Sequence, residues 1–220
     1  MTAHATTLDS PDTDTADVAR PSTRHPRRSH PLERLASWRL WIASATLFVP
    51  FAFVFFASSA GFAIPEVEAA CGQAPPDMRF YSSGDDVVAF LDACGPAGRD
   101  AYRSMQLADL VYPTLVGVFL ASSLALVLRR LSVRHSLRWI AAVPLLAAAF
   151  DYLENAFAWL AIASYPEAIA TTELLGFASA AKTSLSWGAS LSLLACLAAL
   201  GVRWVLRRAR QQHQRIGVSS

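Results

Sequence analysis

The chain has 220 residues, of which 54% are hydrophobic, and carries a formal net charge of +2 with a mean hydropathy of +0.33. That length suits one domain of ordinary size, and the composition is too apolar for a typical water-soluble chain. The apolar residues fall in long blocks, which points to a polytopic helical membrane protein and away from a soluble enzyme fold.

Residues 1–30 are rich in Thr, Ser, Pro, Asp and Arg, with almost no large apolar side chains, so a disordered tail is expected over 1–36. The four-helix transmembrane domain is then expected over 37–208, with a second tail at 209–220. Its first span, 40–63, holds no charge and contains Pro50, which should kink the helix and free the Thr46 carbonyl. Val67-Glu68-Ala69-Ala70-Cys71 faintly resembles a processing site, but the apolar block before it is far longer than the roughly 7–15 residues of a cleavable signal. An uncleaved anchor fits better.

The extracytoplasmic loop assigned to 64–106 is the one extramembrane stretch large enough to fold. Ser83 with Asp86 is a capping-box pattern, followed by Val87, Val88, Phe90, Leu91 and Cys94 at helical spacing. This predicts a short amphipathic helix from about Asp85 to Cys94, stopped by Gly95-Pro96. Cys71 and Cys94 share the loop, and a disulfide between them would contribute roughly 3 kcal/mol in the chain-entropy account. An oxidising exterior permits that bond, while two free thiols remain the alternative.

A helix should restart near Gly98 and run through the second span, 107–128, with Asp109 as its one charge and Pro113 kinking it. Proline lacks the N–H that would meet the Asp109 carbonyl, so an unpaired carbonyl should stand beside that carboxylate, with Tyr112 next to it. Asp109 at a plain water interface is the competing reading.

The third span, 139–164, holds Asp151-Tyr152-Leu153-Glu154-Asn155. Its i, i+3, i+4 spacing puts Asp151, Glu154 and Asn155 on one helical face. Insertion of one Asp at the centre of a spanning helix costs roughly 2.5–3.5 kcal/mol, so two acids there imply a functional or paired site. The fourth span, 174–202, contains Lys182, the sole lysine of the chain, with Ser179, Ser186 and Ser190 near the same face. Lysine can lose its proton when desolvated and arginine effectively cannot. Counted at about 1.5 Å per residue from the loop between the two helices, Lys182 lies level with Glu154 and a stretch from Asp151. Asp109, Tyr112, Asp151, Glu154, Asn155, Lys182 and Ser186 thus form the candidate buried polar site, in the outer half of the bundle.

Arg20, Arg24, Arg27, Arg28, Arg34 and Arg39 precede the first span, Arg129, Arg130, Arg134 and Arg138 separate the second from the third, and Arg203, Arg207, Arg208, Arg210 and Arg215 follow the fourth. The positive-inside rule then puts both termini in the cytoplasm of a multi-pass protein of the inner or plasma membrane. Trp38, Trp41, Trp139 and Trp204 lie at those same ends, as an aromatic belt would. Nothing beside the basic clusters resembles a nucleic-acid reading motif, so no nucleic-acid partner is assigned.

Phe80-Tyr81-Ser82, Gly98-Arg99-Asp100-Ala101-Tyr102, Asp109 with Tyr112-Pro113, the Asp151–Asn155 run and Lys182 together resemble a family of small uncharacterised bacterial four-helix integral membrane proteins. The resemblance covers roughly residues 80 to 200. It implies an all-α four-span bundle with these polar positions inside and brings no activity with it.

Three functions fit the residues. The first is a membrane-embedded site binding or processing a lipid or apolar ligand, where a desolvated carboxylate pair supplies an acid and a base. The second is a structural lock, in which the Asp/Glu/Lys cluster fastens the helices or recruits a membrane protein partner. The third is a proton or cation path. Binding and catalysis are not distinguished, so enzyme status stays open. No cofactor is assigned. Oxygen ligands for a hard cation exist, but His4, His25, His30, His135 and His213 all lie in segments read as cytoplasmic, so no metal is assigned either.

Overall fold

The computed structural model describes residues 31–167 and 170–217. Among these residues there are no strands. Six α-helices follow in order: α1 (Trp38–Ala57), α2 (Ile64–Cys71), α3 (Gly84–Asp109), α4 (Tyr112–Leu131), α5 (Val143–Ser164) and α6 (Ala170–Gly217). Four stretches, Trp38–Ala57, Gly84–Leu131, Ser136–Ser164 and Ala170–Gln212, are long and apolar enough to cross a bilayer. The all-α four-span bundle expected from the sequence is therefore the architecture observed.

Most of the tail assigned to 1–36 lies outside the described residues. From Pro31 the chain is already folded: Pro31–Arg34 is a 3-10 turn, and Ala36 is buried in a cluster with Leu124, Leu128, Ala141 and Ala189.

α1 packs antiparallel to α4 along an aromatic seam. Trp41, Phe48 and Phe55 recur every seven residues, which keeps them on one stripe of the helix. Trp41 and Phe48 meet Phe119 at 6.1 and 5.2 Å between ring centroids, and Phe55 meets Tyr112 at 5.9 Å. The Trp41 indole N–H donates to the Ser123 hydroxyl at 2.9 Å, which satisfies its polar edge inside the apolar seam. Beside the seam, Ile42, Val49 and Phe53 of α1 are all exposed.

The predicted amphipathic helix forms the first half of α3. Ser83 and Asp86 make the reciprocal capping box, and Gly95 (φ 60°, ψ −175°) interrupts the helix at the expected stop. Burial of Val87, Phe90 and Leu91 packs this half against α2, to which the Cys71–Cys94 disulfide ties it. The stretch read as a loop is thus a small helical cap over one end of the bundle. It is latched to the α5–α6 hairpin at several points. The Gly84 N–H donates to Glu173 at 2.9 Å, the Tyr165 hydroxyl donates to Asp92, and the Arg99 guanidinium lies 4.5 Å from the Tyr165 ring centroid. Gly176 lets α6 approach the cap, since a Cβ there would stand 2.1 Å from the Ser82 carbonyl oxygen.

Three helix boundaries differ from expectation, and proline explains two. Pro113 does not kink one long helix. Instead α3 ends at Asp109 and α4 begins at Tyr112, with Pro113 in the first turn of α4, where its missing N–H costs nothing. Likewise the start of the third span is a 3-10 stretch, His135–Ala142, and the α-helix begins at Val143 just before Pro144. The fourth helix starts earlier than 174 and continues well past 202. At the arginine-rich end its Arg203 donates to the Leu131 carbonyl at 2.8 Å.

Candidate functional site

Because α4 begins at Tyr112, its first turn stands beside the middle of α5. Tyr152 donates its hydroxyl to the Leu110 carbonyl at 2.9 Å, and Asn155 donates its amide to the Asp109 carbonyl at 3.3 Å. The second of these is the carbonyl that Pro113 deprives of a helical partner. With its hydrogen committed, the Tyr152 hydroxyl accepts from Thr114 at 2.5 Å. Two of the five residues in the Asp151–Asn155 run therefore patch the break between α3 and α4.

The two acids of the run face α6. Lys182 forms an ion pair with Glu154 and lies 3.4 Å from Asp151 Oδ1. Ser179, one turn before Lys182, donates to the other Glu154 oxygen. Glu154 is fully buried and Asp151 only 5% exposed, so neither charge is met by solvent. A buried pair of this kind holds only when hydrogen bonds satisfy the remaining lone pairs, and Ser179 supplies one.

The cap contributes a residue that the sequence did not single out. Asp77 sits in the 3-10 turn Pro76–Met78 and is buried over the bundle end. Its carbonyl accepts from Lys182 at 3.2 Å and its Oδ2 from the Gln106 amide at 2.8 Å. Burial raises the Asp77 carboxyl above the usual carboxylate range, and the Lys182 ammonium opposes that shift. Pro75-Pro76 marked only a turn. That the turn tucks an acid inward follows from how the cap docks, and no local pattern encodes it. Gln106 and Tyr102, fully buried on α3, complete the polar layer beneath Asp77.

Next to this layer is a cavity of about 370 Å³. Asp77, Asp109, Asp151, Lys182 and Ser186 form its polar wall. Phe55, Phe56, Met105, Tyr112, Leu120 and Ala147 form much of the apolar one. Phe56 of α1, Met78 of the cap and Trp187 of α6 line the cavity and are exposed, so it is open to the surroundings. Of the seven predicted site residues, Asp109, Tyr112, Asp151, Lys182 and Ser186 meet at this cavity. Glu154 and Asn155 lie behind its wall. The site begins at the capped end of α4, where the break at Leu110–Val111 places Asp109 at the start of the span, and its lining continues along that helix to Leu120.

Gln106 Oε1 and Asn155 Oδ1 are buried without a hydrogen-bond partner, whereas Asp151 Oδ1 is paired with the Lys182 ammonium 3.4 Å away and Tyr102 lies against Asp77. Among the described residues, no three His, Cys, Asp or Glu side chains are grouped to hold a metal ion. Compared with protein families, curated proteins and solved structures, the chain matches none.

Proposed function

We propose that this chain is a multi-pass protein of the cell membrane, with both termini cytoplasmic, whose capped cavity binds or processes a lipid or other apolar molecule. The observation that carries the reading is the cavity itself. It is lined by ionisable groups together with aromatic and aliphatic side chains, and exposed members of that lining include Phe56 of α1 and Trp187 of α6. Pockets of this size with few convergent polar groups are the usual form of a small-molecule site. Access beside these two apolar helices would suit a ligand that partitions in hydrocarbon. α1 and α6 show little burial along their spanning windows, 11% and 6%, as expected of surfaces in contact with lipid. The arginine-rich end supplies the orientation.

A structural role is favoured for one part of the cluster. Glu154 is off the cavity wall, so its pairing with Lys182 and Ser179 serves to fasten α5 to α6. In this division Glu154 holds Lys182 in place, and Asp109, Asp151 and Lys182 present the polar face to the occupant.

Extraction into native nanodiscs followed by mass spectrometry tests the proposal. A lipid or apolar small molecule should co-purify in stoichiometric amount and be lost from Ser186→Phe, which fills the cavity. Equal retention by that variant, or no bound species at all, would leave the cluster as a lock only.

A further inference from the structure

At the arginine-rich end of the bundle, away from the Asp/Glu/Lys cluster, three segments border a second cavity, of about 420 Å³. Ala125, Leu128 and Arg129 of α4 stand at i, i+3 and i+4, which puts them on one helical face. Arg138 and Ala141 are three apart in the 3-10 stretch His135–Ala142, where such residues eclipse. Ala36, just after the Pro31–Arg34 turn, closes another side. Ala36, Ala125, Leu128 and Ala141 are buried, whereas Arg129 is exposed and Arg138 half-buried. The buried lining is thus apolar, and the accessible lining carries two guanidinium groups.

We propose that this cavity holds an anionic glycerophospholipid, with its phosphate at Arg129 and Arg138 and the first part of an acyl chain on the apolar floor. The guanidinium fork matches phosphate oxygens in both geometry and charge. Among the described residues, the Arg129 side chain makes no hydrogen bond or ion pair, so its donors are open to a ligand. The floor argues against a sugar phosphate or a nucleotide. Ala36, Ala125, Leu128 and Ala141 would bury the hydroxyls or base of such a ligand without hydrogen bonds.

Position along the bundle points to the source. Trp38, Trp139 and Trp204 are exposed at this end, where Arg203 of α6 also meets the Leu131 carbonyl of α4. Tryptophan settles at headgroup level, the level of the lipid phosphates. At roughly 30 Å³ per heavy atom, about 420 Å³ holds about fourteen atoms. A phosphate and a short run of methylenes fit, and the rest of the lipid stays in the leaflet.

The test titrates the full-length protein in detergent with phosphatidylglycerol, phosphatidylcholine or soluble glycerol 3-phosphate, read by native mass spectrometry. One phosphatidylglycerol should bind about tenfold more tightly than phosphatidylcholine, whose choline brings a second positive charge to the arginines. Glycerol 3-phosphate should not bind at the same concentrations. Arg129→Gln combined with Arg138→Gln should erase the preference. Arg207→Gln combined with Arg208→Gln, the same loss of charge farther along α6, should retain it. Equal binding of the two lipids would overturn the proposal, and glycerol 3-phosphate binding as tightly as phosphatidylglycerol would replace the lipid with a soluble phosphate. Equal loss of preference in both double variants would reduce the effect to diffuse attraction and overturn the site. Should the Arg129/Arg138 variant not fold, phosphatidylglycerol with a diazirine near the head of its acyl chain locates the site on the unsubstituted protein. Cross-links should concentrate on Ala36, Ala125, Leu128 and Ala141, and labelling spread evenly along the spans would overturn the proposal.

Discussion

The Asn155 amide donates at 3.3 Å to the main-chain carbonyl of Asp109, the carbonyl that Pro113 leaves without a helical donor. One side chain on α5 thereby repairs the junction of α3 and α4 and fixes Asp109 at the cavity wall. Replacing Asn155 with Leu keeps the volume and removes the donor. Leaving a buried carbonyl unsatisfied costs roughly 1–3 kcal/mol, so the melting temperature in detergent should fall. An unchanged melting curve for Asn155→Leu would show that the break is held by other contacts.

Lys182 and Glu154 should behave as one unit. Removing one partner of a buried pair costs roughly 3–5 kcal/mol because the other charge is stranded. Lys182→Met and Glu154→Leu should each be strongly destabilised, while the double variant recovers most of the loss. Simple addition of the two losses would mean that they are not energetic partners. Asp151→Asn should be milder than Glu154→Leu, since Asp151 stands farther from the ammonium, at 3.4 Å.

The disulfide has a direct chemical readout. Of the three cysteines, only Cys196 is free. Alkylation of the denatured, unreduced protein should modify Cys196 alone, and prior reduction should expose Cys71 and Cys94 as well. Modification of all three before reduction would remove the bond that ties α2 to α3.

Docking of the cap depends on Gly176. Overpacking at a tight contact costs about 1–3 kcal/mol, and here the obstructing atom is backbone, the Ser82 carbonyl oxygen. Gly176→Ala should therefore loosen the cap and speed protease cleavage between α2 and α3. Gly188→Ala, where nothing lies near the added carbon, is the control and should leave cleavage unchanged. Equal rates in both variants would argue against a tightly seated cap.

Orientation is tested by reporter fusion. Alkaline phosphatase joined after Asp86 should be active and joined after Arg134 inactive. The reverse pattern would invert the topology that the arginines imply.

Much of this was legible in the chain because membrane solvent leaves little choice. Spans must be long, apolar and helical, and the charge bias between them is read directly from the arginines. The capping box at Ser83–Asp86, the stop at Gly95-Pro96 and the shared face of Asp151, Glu154 and Asn155 are local regularities of a helix, set by spacing over a few residues. The pairing of Lys182 with Glu154 was accessible for a related reason: an unbroken hairpin of two long helices brings residues equally far from its turn to the same height.

Tertiary structure decided what depends on contacts between distant segments. The sequence placed a weak point at Pro113, but only the packing of α5 against it turned a kink into a break and recruited Tyr152 and Asn155 to repair it. Asp77 belongs to the site because the cap folds over, and the docking of α2 and α3 is a surface-matching problem with no periodic signature. The cavity, too, exists only as the space left between the six helices and the Pro76–Met78 turn. Helical period and charge bias act along the chain and can be read from it. Which buried oxygens stay unpaired, and what space adjoins them, is settled only when the helices meet.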